Sequence, residues 1–525
     1  MEVIVVGAGI AGMAFAQGLA EALGSREVRI RMLMKAELED SSSSLAQGGL
    51  AAPIHRDDSV EQHVQDTMRT GGGRNDEAVV RAVVSEAPRV VERLITWGAE
   101  FDRDATGRPA LAREGGHGRA RVVHRADSTG AEIVRVLHEH VVNNAAIVRS
   151  ERVRAIDLLV EDGSEGRRCI GVRVLDLNTG MLRELYAHLV VLATGGVGQV
   201  YSTTTNPVTA TGDGVAMAIR AGVPLRDMAF MQFHPTALYT GASGRAFLIS
   251  EAVRGAGARL LDNDMRPLMD GVHPLRDLAP RNVVARAIHS EMQRSGRSHV
   301  WLDASGMGMA RFGQEFPAIG RWCEALGIVP GRDLLPVAPA AHYLCGGIAT
   351  DLSGLTQLPG LLAMGECAGT GLHGADRLAS NSLLEALVMP DRAVRMLVAS
   401  RNAWGALPKD LELEVRLSRQ VPRDLYLLRQ DLHHAMDTHV GLERSAEGLN
   451  TALRAIARCE RHLRTLWGRR RWSAEVVDLR DMLAVARAIA EAALTEPISI
   501  GGHFLNDVEH AQLKYVSVPH IDHGI

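Results

Sequence analysis

One glycine pattern near the start, Gly7-Ala8-Gly9-Ile10-Ala11-Gly12, constrains this 525-residue chain more than any other stretch. The apolar run Val3-Ile4-Val5-Val6 precedes it, and a helical pattern follows from Met13 to about Leu23. Strand, glycine turn and helix form the context in which G-x-G-x-x-G cradles a dinucleotide diphosphate. Gly7 permits the tight turn, Gly9 lets the backbone approach the diphosphate, and Gly12 lets helix and strand pack. The helix start at Ile10 and Ala11 offers free N–H groups and a positive dipole end to an anion. A nucleotide-binding βαβ unit in an α/β fold is predicted.

The second strand is predicted at Val28–Leu33. A NAD-type unit ends that strand in Asp or Glu, for the ribose hydroxyls. Met34-Lys35 stand there instead, with Glu37 beyond. NAD is therefore disfavoured, Lys35 is assigned to the cofactor side, and the adenosine contacts stay unassigned. Ser41-Ser42-Ser43-Ser44 runs into Ala46-Gln47-Gly48-Gly49, a loop of small hydroxyl residues and paired glycines that suits a flat cofactor. Asn75 to Trp97 is predicted helical, with Asn75 or Asp76 as N-cap and a bend at Pro88. Leu189–Leu192 reads as a buried parallel strand that ends in Ala193-Thr194-Gly195-Gly196, and a helix opens near Asp213 and stops at Gly222.

From about Met228 to His342 the pattern breaks up and polar motifs become dense, so 228–342 is read as an inserted α+β domain. The glycine-rich strand pattern returns at Leu361–Glu366, which makes the first domain discontinuous, 1–227 with 343–403. After about Trp404 the chain is predicted all helical, with a C-terminal domain at 411–510. Leu449, Leu453, Ile456, Leu463 and Leu466 share one helical face, and Val476, Leu479, Met482, Ile489 and Ala493 another. Arg469-Arg470-Arg471 is read as a solvated turn between helices, and His433 with Asp437 as a surface pair, since two residues at i,i+4 do not make a metal site.

Composition narrows the function. A net charge of −4 gives no reason to expect nucleic acid or an anionic membrane as partner. No apolar run approaches the roughly 18–20 residues of a membrane span. The five cysteines are scattered singly, so no metal is expected and a reducing cytoplasm suits them. With a strand predicted at Val3–Val6, no signal peptide is expected.

The motifs GAGIAG, SSLAQGGLAA, REGGH, ATGG, TGDGVAMA, QFHPTAL, SEAVRGAGARL, APRNVVARAI, PAAHYLCGGI and MGECAGTGLHGADRLASNSLLEAL occur in that order. The set resembles the succinate dehydrogenase/fumarate reductase flavoprotein family over roughly residues 1–400, and more weakly through the tail. The resemblance implies a Rossmann-like FAD-binding domain, an inserted capping domain at 228–342 and a C-terminal helical bundle. It implies hydride removal beside a carboxylate, with flavin N5 as acceptor.

Such a substrate needs fixed donors at both carboxylates, and arginine is the best bidentate partner. By resemblance, Arg281 and Arg377 hold carboxylates, His234 and His342 donate to them, and Gln232, Ser250 and Ser380 lie nearby. Arg281 matches the arginine that donates a proton when fumarate is reduced; arginine holds its proton tightly, so donation demands a relay, for which Glu251 and Arg254 are candidates. On the cofactor side the resemblance assigns Gly7, Gly9 and Gly12 to the diphosphate. It assigns Ser41, Ser43, Gln47, Gly48 and Gly49 to the flavin, and Ala193, Thr194, Gly195, Asp213, Glu366, Ser382 and Leu383 to the rest. The helix from about Ser382 aims its N-terminus at the flavin's pyrimidine end.

Two positions decide the branch. Succinate- and fumarate-specific members look apolar where this chain has Glu114; a carboxylate there repels a plain dicarboxylate and pairs with the ammonium of L-aspartate. Respiratory members carry a flavin-linking histidine where this chain has Ser42, so FAD is expected to be non-covalent. The implied reaction is oxidation of L-aspartate to iminoaspartate, with O₂ or fumarate as acceptor and quinolinate synthesis, on the route to NAD, as the next step. A functional link to quinolinate synthase follows. Three departures stand out. Asn282 and Asp376 occupy positions where the family usually has Asp and Asn, and Glu496–His503 lacks the family's tail arginine, which leaves a tail contribution to the site unexpected.

Overall fold

The computed structural model describes residues 1–163, 166–400, 405–416, 421–468 and 473–506. Its centre is a five-stranded parallel sheet in the order Leu361–Ala363, Leu189–Leu192, Glu2–Val6, Arg29–Met34, Ile147–Glu151. Val3 to Val6 are buried because the middle strand of a parallel sheet is covered on both faces. The helix Ile10–Leu23 follows at once and packs on the helix Asn381–Ala399, so the first and last segments of this layer meet. The helix Glu77–Thr96 is capped by Asp76, whose carboxylate accepts from Ala78 N and Val79 N, and it contains Pro88.

Residues 231–344 build most of a second sheet, which is mixed because Thr203–Thr204 joins it as a parallel strand. The long strand Leu335–Leu344 pairs antiparallel with Met231–Leu238 on one side and with Val300–Asp303 on the other. Ile249, Val253, Leu260, Ile288, Leu302 and Val337 form a hydrophobic core separate from the main one. Helices Arg281–Ser295 and Pro317–Ala325 belong to this layer. A cleft lined by residues of both layers lies between the two cores.

The region after 404 is not all helix. Leu411–Arg416 is a strand and pairs with Met181–Tyr186, at the edge of a four-stranded antiparallel sheet. The Leu-Glu-Leu-Glu-Val alternation is a period-two signal that the helical reading passed over. Helices Asp424–His439, Ala446–Gly468 and Ala474–Thr495 follow, and both predicted apolar faces are buried. Arg469-Arg470-Arg471 lies outside the described residues. His433 is half-buried and Asp437 exposed, so the pair does lie at the surface, but both side chains are engaged. His433 Nε2 bonds Gln199 O at 3.0 Å and Asp437 Oδ1 accepts from Ser202 N at 3.2 Å, so both fasten the helical layer to the main body. Asp481, fully buried, does the same with Arg154 and Arg220, each at 2.9 Å. Among the described residues no helix is long and apolar enough to cross a membrane.

Candidate active site

A cleft of about 410 Å³ runs from the Gly7–Ala11 turn to the arginines of the second layer. At the first end, Gly7 has φ +108°, and a Cβ there would lie 2.2 Å from Ala193 O. A Cβ on Gly12 would lie 2.1 Å from Gly7 O. These two glycines let the turn, the helix and the neighbouring strand close on one another. Gly9 faces the cleft, and Ile10 N donates to Ser43 Oγ at 3.1 Å, which brings the serine loop over the helix N-terminus. Lys35, Ser41, Ser42, Gln47, Gly48, Gly49, Ala193, Thr194, Gly195, Glu366, Ser382 and Leu383 line the same cleft. Gly12 and Asp213 do not. Gly12 sits beneath the turn, and Asp213 is buried behind Lys35, which it pairs at 3.0 Å. Burial lifts Glu366 to about 7.

At the other end Arg281 and Arg377 converge on one oxygen. Gln232 Oε1 accepts from Arg281 Nη1 at 3.0 Å and from Arg377 Nη2 at 3.2 Å. Arg281 Nε also donates to Glu251 Oε2 at 2.8 Å. Burial would raise Glu251, but Arg281 and Arg254 outweigh it and hold its carboxyl below the usual range. Gln232 and Arg254 do not line the cleft. Gln232 lies behind the two arginines, and Arg254 behind Glu251, tied to the Asp277 carbonyl. Gln232 has every amide atom bonded within the protein wall, whereas Arg254 keeps its Nε without a partner; both stand behind the cleft rather than along it.

The histidines are neutral, because burial and then the neighbouring arginines push both well below the usual range. His234 Nδ1 accepts from Thr236 N at 3.2 Å, so its proton sits on Nε2, which has no protein partner and faces the cleft. His342 Nε2 lies 2.9 Å from Arg377 Nη2 and therefore accepts, and its Nδ1 donates to Thr205 Oγ1 at 2.7 Å. Arg377 also lies over the Tyr343 ring at 4.3 Å and donates to Ser382 Oγ. Thr205 and Tyr343 were missed in the sequence. Tyr343 adjoins His342 in its motif, and nothing marks Thr205.

Glu114 is 3% exposed, in a loop that is polar by composition but packed inside the cleft. Its Oε2 accepts from Ser380 Oγ at 2.6 Å. Burial raises its pKa, the Ser380 bond opposes this, and Glu251 adds to it. Ser380 holds φ +64°, a conformation costly for a residue with a Cβ, and its Oγ also accepts from Gly49 N at 3.2 Å. Ser250 lines the cleft and caps the short helix that carries Glu251. No described tail residue lines the cleft, but the tail backbone braces the wall behind it: Gly501 O accepts from Asn282 Nδ2 and from Arg286 Nη1, each at 3.1 Å.

Comparison with known proteins decides the family. The FAD binding domain family matches residues 2–383, and the fumarate reductase flavoprotein C-terminal family matches 429–514. An L-aspartate oxidase of Streptomyces coelicolor is 43% identical, covering 96% of this chain and 88% of that protein. L-aspartate oxidase 1 of Ralstonia nicotianae is 40% identical, over 96% and 95%. The chain belongs to the L-aspartate oxidase family. Among solved structures, the FrdA chain of E. coli quinol fumarate reductase superposes with a TM-score of 0.86 at 28% identity, over 98% of this chain and 93% of that one. The family's place among succinate dehydrogenase and fumarate reductase flavoproteins is thus visible in both sequence and fold.

The residues present fit FAD. The glycine turn opens a helix N-terminus toward the cleft, where a diphosphate is stabilised. Gln47 Oε1 is a buried acceptor with no protein partner at the middle of the cleft. The Asn381–Ala399 helix presents its first turn, with Ser382 and Leu383, to the same space.

Proposed function

We propose that this chain oxidises L-aspartate to iminoaspartate. The observation that carries the reading is the buried Glu114 carboxylate, which shares one cleft with Arg281 and Arg377. Two cationic anchors suit two carboxylates, and one buried anion suits the ammonium between them. FAD, held non-covalently because Ser42 replaces a linking histidine, would take the hydride from Cα and give up its electrons to O₂, forming H₂O₂, or to fumarate.

Arg281 and Arg377 clamp the substrate carboxylates, and His234 donates from Nε2. Gln232 keeps the two guanidiniums together, which orients the substrate before reaction. Glu114 holds the ammonium and weakens the binding of dicarboxylates that lack it. When fumarate is the acceptor, Arg281 would pass it a proton and be reprotonated through Glu251 and Arg254. Iminoaspartate is an unstable imine that a quinolinate-forming enzyme would consume, so a functional link to quinolinate synthase is part of this reading, as is a cytoplasmic setting. Residues 228–342 serve as the capping domain.

The test is anaerobic flavin bleaching with L-aspartate, D-aspartate and succinate in parallel. Bleaching by L-aspartate alone is expected; none with L-aspartate sinks the reading. A second reading, a soluble fumarate reductase, draws on the superposition with the fumarate reductase chain. It requires succinate to bleach the flavin faster than L-aspartate. Acid precipitation is expected to release all flavin into the supernatant, and yellow pelleted protein would show a covalent link.

A further inference from the structure

Asp376 is 1% exposed and makes no contact with the cleft. Its Oδ1 accepts from Gln232 Nε2 at 2.6 Å, and its Oδ2 accepts from Asn282 N at 3.4 Å. Gln232 Nε2 donates as well to Arg377 O, at 2.9 Å. With both amide protons engaged on this side, the amide presents only its carbonyl oxygen to the guanidiniums of Arg281 and Arg377. An amide turned the other way would aim two N–H donors at two cations.

The tail braces this arrangement. Gly502 N donates to Ala375 O at 2.8 Å. A Cβ on Gly501 would lie 2.2 Å from Ala375 O, and one on Gly502 would lie 2.5 Å from Met231 O. Ala375 and Met231 immediately precede Asp376 and Gln232. Asn282 joins the same unit, because its side-chain amide donates to Gly501 O and its backbone N–H to Asp376. An amide at 282, a carboxylate at 376 and a glycine tail without an arginine are therefore one connected solution.

We propose that Asp376 is a positioning residue for substrate binding: it fixes the amide of Gln232, and through it the spacing of Arg281 and Arg377. This rests on the dicarboxylate reading above. A carboxylate acting only through its charge would do the reverse, since it repels a dianionic ligand. Burial lifts Asp376 to about 6, against the Gln232 bond and Arg281. The groups facing it are Arg281 and Arg286 from the Arg281–Ser295 helix, Arg377 from its own loop, and Cys345 beyond the long strand.

The experiment is a double-mutant cycle on FAD-loaded full-length protein, reading the affinity for succinate by calorimetry. D376N is expected to weaken binding about tenfold at about pH 7.5, the size of one lost hydrogen bond. Q232L is expected to weaken it at least as much, and D376N in the Q232L background to add nothing. The gap between unmutated protein and D376N should narrow toward about pH 5.5, as Asp376 takes up its proton. Unchanged or tighter binding by D376N, or full additivity with Q232L, overturns the role of Asp376 alone. Absence of succinate binding together with absence of flavin bleaching by L-aspartate overturns the dicarboxylate reading and this role with it; where L-aspartate bleaches the flavin but succinate does not bind, the same cycle reads the KM for L-aspartate. Should D376N fail to fold, D376E enters the same cycle, since a carboxylate displaced by one methylene keeps the charge and loses the placement.

Discussion

The Ser380 hydroxyl donates to Glu114 Oε2 at 2.6 Å, and both side chains are buried against the Gly48-Gly49 turn. Ser380 reaches that position only through a left-handed backbone. A strained residue thus aims the carboxylate that we propose distinguishes an amino-acid substrate from a plain dicarboxylate.

Glu114→Ala removes that carboxylate. Turnover of L-aspartate (kcat/KM) should fall by about 2–3 kcal/mol in transition-state terms, roughly a hundredfold, while succinate binds more tightly. Because burial raises Glu114, the KM for L-aspartate should also climb on the acid side, where the group is neutral. Steady-state kinetics across pH on both proteins checks this. An Ala variant with undiminished aspartate turnover would remove Glu114 from substrate choice.

Gly12→Ala places a methyl group 2.1 Å from Gly7 O, so the turn must open. A cost of about 1–3 kcal/mol and a largely flavin-free purified protein are expected. Gly18→Ala in the same helix meets Val394 at 3.4 Å, an ordinary contact, and should be neutral or stabilising by up to about 1 kcal/mol. Flavin-to-protein absorbance ratios and melting curves distinguish the two.

Glu366→Gln tests a buried carboxyl lifted from 4.5 to about 7. Below about pH 4.5 folded and unfolded chains both carry the proton. As pH rises toward 7 only the unfolded chain loses it, so folding is penalised progressively, by an amount on the order of 3 kcal/mol above pH 7. FAD-free Glu366→Gln should therefore melt higher than the unmutated protein at about pH 8, and the difference should vanish near pH 4.5. Equal melting at about pH 8 would show that Glu366 is not shifted.

Asp481→Asn leaves Arg154, Arg220 and Arg480 around a neutral amide in a buried setting. Breaking such a network typically costs about 3–5 kcal/mol. A clear drop in the melting temperature is expected, with the KM for L-aspartate of the surviving enzyme unchanged, because Asp481 lies outside the cleft.

Residues close together in the chain were the legible ones. Strand, glycine turn and helix at 2–23, the capped helix at 77–96 and the two apolar faces at 449–493 each follow from spacing within one segment. The strand at 411–416 was missed because its alternation is short and lies just before three helices. Gln232, Arg254 and Asp213 were placed among the contacts because polar residues in a recognised motif look alike in sequence, whether they face the cleft or the wall behind it.

Chemistry of that kind the sequence determined by itself: the nucleotide turn, the family, two arginines, two histidines and a glutamate in place of an apolar residue. Local spacing and residue type suffice for it. Only the tertiary structure decided who bonds whom. Glu114 and Ser380 are 266 residues apart, and Asp376 and Gln232 are 144 apart. The tail at Gly501 reaches Asn282 across 219. Such pairs form because burial leaves a polar group no partner but the one packing brings to it, and packing between remote segments has no signature in the order of residues.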